Sequence, residues 1–143
     1  MATEQDKINY RRIPEEIFNQ GKLELIDELF APDYVDHAPP PPGMPPGIEG
    51  LKQLIGALHA AFPDFHYTIE DQFAEGDKHV GRMTGHGTHK GEFMGIPPTG
   101  KTVSWGEIHI GRMVDGKLVE HWSNQDQLGM MQQLGVVPGP EQS

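Results

Sequence analysis

The dipeptide Asp115-Gly116 constrains the fold of this chain more than any other feature of its sequence. On both sides of it, apolar and polar residues alternate, over about 102–113 and about 117–126. Such alternation is typical of strands, and Asp-Gly between two strands favours a two-residue hairpin turn. The sequence therefore predicts an antiparallel sheet in the C-terminal part of the chain.

The predicted hairpin brings four aromatic or ionisable residues together. A two-residue turn places His109 opposite Trp122 and Trp105 opposite Asp126, and opposed residues project from the same face. A bulge in either strand would change this pairing. His109 is then either an acid/base group in a pocket or exposed on a convex face. Asp126 is either an acid/base group beside an indole or the N-cap of a helix that begins at Gln127, and the residues alone favour the cap.

The rest of the chain predicts helices first and further strands afterwards. Pro14 should kink the first helix or mark its start, because proline lacks a backbone N–H. This order predicts an α+β domain over residues 1–143, with its core at about 6–137, in which a curved antiparallel sheet wraps around three N-terminal helices as an open cone. The predicted elements are helices at about 6–20, 23–30 and 48–62, an extended piece at 33–37, and strands at about 65–75 and 78–89.

Glycine and proline mark the curvature of the sheet and a rigid loop. Gly81, Gly85 and Gly87 share one strand face, which indicates sharp curvature or the close approach of another element. The Pro-rich loop 38–47 is either a stiff linker or a flap over a pocket mouth with Met44 at its tip. His37, next to this loop, lines the mouth or caps the loop backbone.

Composition excludes several function classes. The formal net charge of −10 argues against nucleic acid or an anionic membrane as a partner, since both bind basic surfaces. The absence of cysteine excludes disulfides and thiol catalysis. No segment has the pattern of a signal peptide or a membrane span, so we expect a cytoplasmic protein.

No metal site or nucleophilic triad is indicated. His86 and His89 would lie on opposite faces of a strand, and Glu107 with His109 would supply only two ligands. No Gly-x-Ser-x-Gly motif marks a nucleophile, and no Gly-rich phosphate loop is present. We therefore expect no metal and no nucleotide cofactor.

Several motifs together resemble a known family. They are Tyr34-Val-Asp-His37, Ala61-Phe-Pro-Asp64, the segment from Gly87 to Lys101 that contains Gly95-Ile-Pro-Pro-Thr, and Glu120-x-Trp122-x-x-x-Asp126 with the following Gln-Leu-Gly135. Over about residues 10–138 the chain resembles the SnoaL-like polyketide cyclases, also called ester cyclases. The resemblance implies the cone fold of the nuclear-transport-factor-2-like type. It also implies cofactor-independent closure of a polyketide ring by intramolecular aldol condensation.

The resemblance assigns roles to residues that the strand pattern left open. It implies that Asp126 is the general acid/base and that His109 assists it. We expect a small apolar or aromatic substrate and a homo-oligomer, either a dimer or a tetramer. The alternatives are a hydrolase or isomerase acting on another small substrate, and a non-catalytic cone protein that binds apolar ligands. The expected substrate-binding residues are Tyr34, His37, Met44, Phe62, Met83, Trp105 and Trp122.

Overall fold

One curved sheet of five strands organises the protein. In the computed structural model, which describes residues 3–38 and 43–138, the strand order is β1-β5-β4-β3-β2. β1 runs parallel to β5, and all other neighbours are antiparallel. The predicted α+β class is confirmed. The strands are β1 Phe30–Asp36, β2 His66–Glu75, β3 Lys78–Thr88, β4 Thr102–Val114 and β5 Lys117–Gln125.

The helices cover one face of this sheet. At Ile13 the first helix changes from α to π hydrogen bonding, next to Pro14, which has no N–H to donate. None of the described helices is long and apolar enough to cross a membrane. The helices are α1 Glu4–Arg12, continued by the π-helix Ile13–Phe18, α2 Ile26–Leu29 after a 3₁₀ turn at Leu23–Leu25, α3 Gly47–Ala61 and α4 Gln127–Leu134.

β1 was predicted only as a short extended piece. Residues 23–30 have helical spacing, but the helix ends at Leu29 and Phe30 already pairs with Leu118 of β5. The local pattern does not reveal this pairing, because β1 and β5 lie far apart in the chain. The parallel pairing sets Asp36 beside His121, which brings β1 into the candidate site.

The concave face of the sheet packs against the helices, and glycines allow the closest contacts. Odd-numbered residues of β3 and β4 point to this face and are largely buried. A Cβ atom at Gly85 would lie 2.6 Å from the Trp105 ring, and one at Gly87 would lie 2.7 Å from Phe62. The predicted close approach at these glycines is confirmed.

The hairpin at Asp115-Gly116 forms, but its register differs from the predicted one. Asp115 and Gly116 have φ values of 50° and 80°, as a tight hairpin turn requires. Arg112 pairs with Glu120 and Met113 with Leu118, which leaves Val119 as an extra residue in β5. The predicted facing pairs are therefore wrong. A single bulged residue moves all later residues of the strand to the opposite face.

Candidate active site

A buried carboxylate anchors a polar cluster on the concave face. The Oε2 atom of Glu107 accepts a hydrogen bond of 2.6 Å from the indole Nε1–H of Trp105. Its Oε1 atom accepts one of 2.9 Å from the hydroxyl of Tyr67 and lies 2.7 Å from Nε2 of His109. Buried charges require partners of this kind, because desolvation is otherwise too costly.

From His109 the contacts continue through a second histidine to a second carboxylate. Nδ1 of His109 lies 2.9 Å from Nε2 of His121, and Nδ1 of His121 lies 3.1 Å from Oδ1 of Asp36. The hydroxyl of Tyr34 donates to Oδ2 of Asp36 at 2.8 Å, and the backbone N–H of Ala38 donates to Oδ1 at 2.9 Å. We refer to Glu107, His109, His121 and Asp36 as the polar chain.

Three strands place the members of the polar chain on one face. Glu107 and His109 are two residues apart on β4 and so project to the same side. The bulge at Val119 turns His121 to that side, where it stacks on His109 with ring centroids 5.1 Å apart. The hydroxyl of Tyr10, from α1, donates to the backbone oxygen of His109 at 3.2 Å.

The polar chain runs from the protein interior toward solvent. The exposed fraction of the side chain is 2% for Glu107, 15% for His109, 15% for His121 and 33% for Asp36. Asp36 is therefore the member that a ligand can reach most easily.

The pKa values of Tyr34, Tyr67 and Asp36 are shifted in the directions that keep both tyrosines protonated and Asp36 ionised. Burial acts to raise the pKa of Asp36, but hydrogen bonds from His121, Ala38 and Tyr34 outweigh it, so the net pKa is lowered. Burial, followed by the charge of the neighbouring carboxylate, raises the pKa of Tyr34 and of Tyr67. At neutral pH, Asp36 is therefore ionised, and both tyrosines are protonated donors.

Comparison with known proteins identifies the family. Residues 8–134 match the model of the SnoaL-like polyketide cyclases. The chain belongs to the SnoaL-like polyketide cyclase family. The nogalonic acid methyl ester cyclase of Streptomyces nogalater is 33% identical, over 82% of this chain and 89% of the relative. The aklanonic acid methyl ester cyclase DnrD of Streptomyces peucetius is 32% identical, over 99% and 97% of the two chains.

Solved structures share the fold of this chain. The structure of TsrD from Streptomyces laurentii superposes with a TM-score of 0.84 at 31% identity, covering 96% of this chain and 99% of that one. The resemblance to the SnoaL-like polyketide cyclases seen in the sequence is therefore confirmed. The expectation of a cyclase-type enzyme is also confirmed at the level of the family.

Three residues expected at the site lie in or beside the polar chain of this SnoaL-like protein. His109 is a member of the chain, Trp105 donates to Glu107, and Tyr34 donates to Asp36. Met83 and Phe62 are buried in the same hydrophobic cluster as Trp105, so they support the wall behind the chain. Their contact with a substrate stays a prediction.

Asp126 lies apart from the polar chain. Its side chain is exposed, and its Oδ1 atom accepts a hydrogen bond of 2.9 Å from the backbone N–H of Gly129. The interpretation of Asp126 as the N-cap of α4 is confirmed. Its catalytic role in this family member stays a prediction.

Trp122 and His37 meet each other on the opposite, convex face. Their rings stack with centroids 4.9 Å apart and an interplanar angle of 8°. His37 also contacts Glu120 at 2.7 Å, and Arg112 donates to the other oxygen of Glu120 at 2.9 Å. The bulge at Val119 is the reason that Trp122 does not join Trp105 and His109.

Met44 is half-buried, and residues 39–42 of its Pro-rich loop lie outside the described residues.

Sequence reasoning missed the roles of Asp36, Tyr67, Glu107 and His121. One signal was present: Glu107 shares strand parity with Trp105 and His109. No local signal could identify His121, because the bulge decides its face, or Asp36, because the β1–β5 pairing places it. Within residues 3–38 and 43–138, no three histidine, aspartate or glutamate side chains converge as metal ligands would.

Proposed function

We propose that this protein closes a ring of a small polyketide substrate by intramolecular aldol addition, and that the reaction takes place at the polar chain. The observation that supports this proposal is the hydrogen-bonded succession of two carboxylates and two imidazoles on the concave face. Such groups supply both a base and an acid within one site. The curated relatives act on nogalonic and aklanonic acid methyl esters, and we propose a polyketide methyl ester as the substrate class.

The chemistry requires one proton to leave carbon and one to reach oxygen. A base removes a proton from a carbon flanked by carbonyl groups, which forms an enolate. The enolate carbon bonds to a carbonyl carbon within the same molecule, and the electron pair of that C=O moves to oxygen. An acid then protonates this alkoxide, so the product has the same mass as the substrate. No redox change occurs, so the reaction needs no oxidant or reductant.

His109 and Asp126 are separable candidates for the acid/base role. His109 lies in the polar chain between Glu107 and His121, whereas Asp126 is exposed and caps α4. We propose that the polar chain, which contains His109, performs the acid/base work.

Ring closure of aklanonic acid methyl ester or nogalonic acid methyl ester tests the proposal. Chromatography with mass detection should show a product of unchanged mass. His109→Asn should lower kcat by about 10²–10⁴-fold, the usual contribution of a general acid/base group. His86→Asn is the matched control, because His86 lies on the convex face, stacked on His66.

The same assay distinguishes the two candidates. If Asp126→Asn abolished turnover while His109→Asn did not, the polar chain would not be the catalytic centre. A wild-type protein that closed no ring in either ester would contradict the cyclase proposal for this substrate class.

We also propose that the protein is a homo-oligomer that associates through the convex face. The exposed side chains of Val35, Ile108, Ile110 and Val114 project from this face, and Val35 and Val114 line a groove of about 370 Å³. Exposed apolar surface of this kind is typical of protein–protein contacts. Light scattering coupled to gel filtration should give a mass of two or four chains, and a monomer would contradict this proposal.

A further inference from the structure

The hydrogen bonds of the polar chain require more protons than two neutral histidines supply. Three contacts link its members: Glu107 to His109, His109 to His121, and His121 to Asp36. Each contact needs one hydrogen between its two atoms, because two lone pairs at these distances repel each other. A neutral imidazole carries a single N–H, so two neutral rings provide two hydrogens for three contacts.

The third proton belongs on the imidazoles and not on the carboxylates. Glu107 accepts from the indole N–H of Trp105, and Asp36 accepts from the backbone N–H of Ala38. Neither donor can reverse its role. Together with the hydroxyls of Tyr67 and Tyr34, each carboxylate has three donors, the arrangement that stabilises its ionised form.

We propose that His109 and His121 share one additional proton and that the polar chain is a proton relay whose substrate-facing end is Asp36. Movement of the proton between Nδ1 of His109 and Nε2 of His121, 2.9 Å apart, transfers the positive charge from one ring to the other. The rings themselves need not move. All four ring nitrogens are engaged within the chain, so the reactive contact with a ligand falls to the carboxylate of Asp36, the most exposed member.

The relay accounts for both proton transfers of the proposed ring closure. Asp36 accepts the proton from the carbon flanked by carbonyls, and the substrate becomes an enolate. When Asp36 takes up this proton, the proton shared by His109 and His121 moves to His109, away from Asp36. After the new C–C bond has formed, the alkoxide takes the proton back from Asp36, and the shared proton returns to His121. One proton enters and one leaves, so the relay returns to its starting state. The chemical step rests on the proposed function, whereas the proton count does not.

The proton count can be measured without a substrate. In protein labelled with ¹⁵N, imidazole nitrogen shifts at neutral pH report which ring nitrogens carry hydrogen, and His109→Asn and His121→Asn variants assign the signals. We expect three of the four nitrogens of His109 and His121 to be protonated on average. In His121→Asn, His109 keeps a single contact to a carboxylate and should carry a single N–H. Two neutral rings in the wild-type protein would overturn the relay.

Kinetics test the role of Asp36. Asp36→Asn should lower kcat by about 10²–10⁴-fold with a smaller change in KM, and Asp36→Glu should restore part of the loss. Asp27→Asn is the matched control, because Asp27 is an exposed aspartate of α2 that lies outside the polar chain and outside the groove on the convex face. We expect it to keep wild-type kcat.

The kinetic and spectroscopic results separate failure of the relay from failure of the proposed function. If the wild-type enzyme closes the ring and Asp36→Asn is fully active, the role of Asp36 is wrong, but the cyclase proposal holds. If the wild-type enzyme closes no ring but three ring nitrogens are protonated, the cyclase proposal is wrong, but the proposal of a shared proton holds.

Discussion

Gly85→Ala should destabilise the protein and disturb the candidate site by displacing Trp105. A Cβ atom at this position would lie 2.6 Å from Cε2 and Cζ2 of Trp105 and 2.9 Å from its Nε1. Carbon atoms do not approach so closely, so the indole must move. The indole N–H is the donor to Glu107 at 2.6 Å, and this hydrogen bond must lengthen or break.

The expected cost of Gly85→Ala follows from three contributions. Overpacking by one methyl group in a filled core costs about 1–3 kcal/mol. Loss of a hydrogen bond to a charged group costs about 1.5–3 kcal/mol. Replacing glycine by alanine lowers the conformational entropy of the unfolded chain, which stabilises the folded state by about 0.4–1 kcal/mol. The free energy of unfolding should therefore fall by about 2–5 kcal/mol.

Urea unfolding measures this change, and Gly106→Ala is the matched control. Gly106 lies on β4 next to Trp105, but a Cβ atom there would meet no atom of the other described residues, its two chain neighbours aside, within 4 Å. In a Trp122→Phe background Trp105 is the single tryptophan, so its fluorescence should also report the displaced indole in Gly85→Ala. Equal stability of the two alanine variants would refute the close packing of Trp105 on Gly85.

Two further predictions concern stability. His79 is buried, and within the part of the chain that the structure describes neither of its ring nitrogens has a hydrogen-bond partner. Burial lowers the pKa of His79 below its usual value of 6.5. The unfolded state therefore binds a proton more readily than the folded state, so the free energy of unfolding should fall as the pH drops below about 6.5. In His79→Phe, the free energy of unfolding measured by urea titration should change less between about pH 7 and 5 than in the wild-type protein. An equal change in both proteins would contradict the role of His79. Asp126→Ala should cost about 0.5–2 kcal/mol through loss of the N-cap, whereas Asp126→Asn, which keeps a cap acceptor, should remain close to wild type.

The candidate site was predicted in part, and the errors share one cause. Trp105 and His109 were placed together correctly because they lie on one strand, where alternation alone determines their common face. Trp122 was assigned to the wrong face because the prediction assumed regular pairing. No local sequence signal marks Val119 as an extra residue. Because of this residue, His121 lies on the concave side and Trp122 does not.

The sequence by itself determined the α+β class, the hairpin at Asp115-Gly116, the N-cap at Asp126 and, through its motifs, the family. These features depend on residues that are close together in the chain, such as a turn dipeptide, an alternating strand or a capping side chain. The tertiary structure decided which ionisable groups meet. The bulge in β5 and the parallel pairing of β1 with β5 bring His121 and Asp36 to His109. Both depend on how distant strands pack around a shared core, and this packing, rather than local propensity, assembles the polar chain.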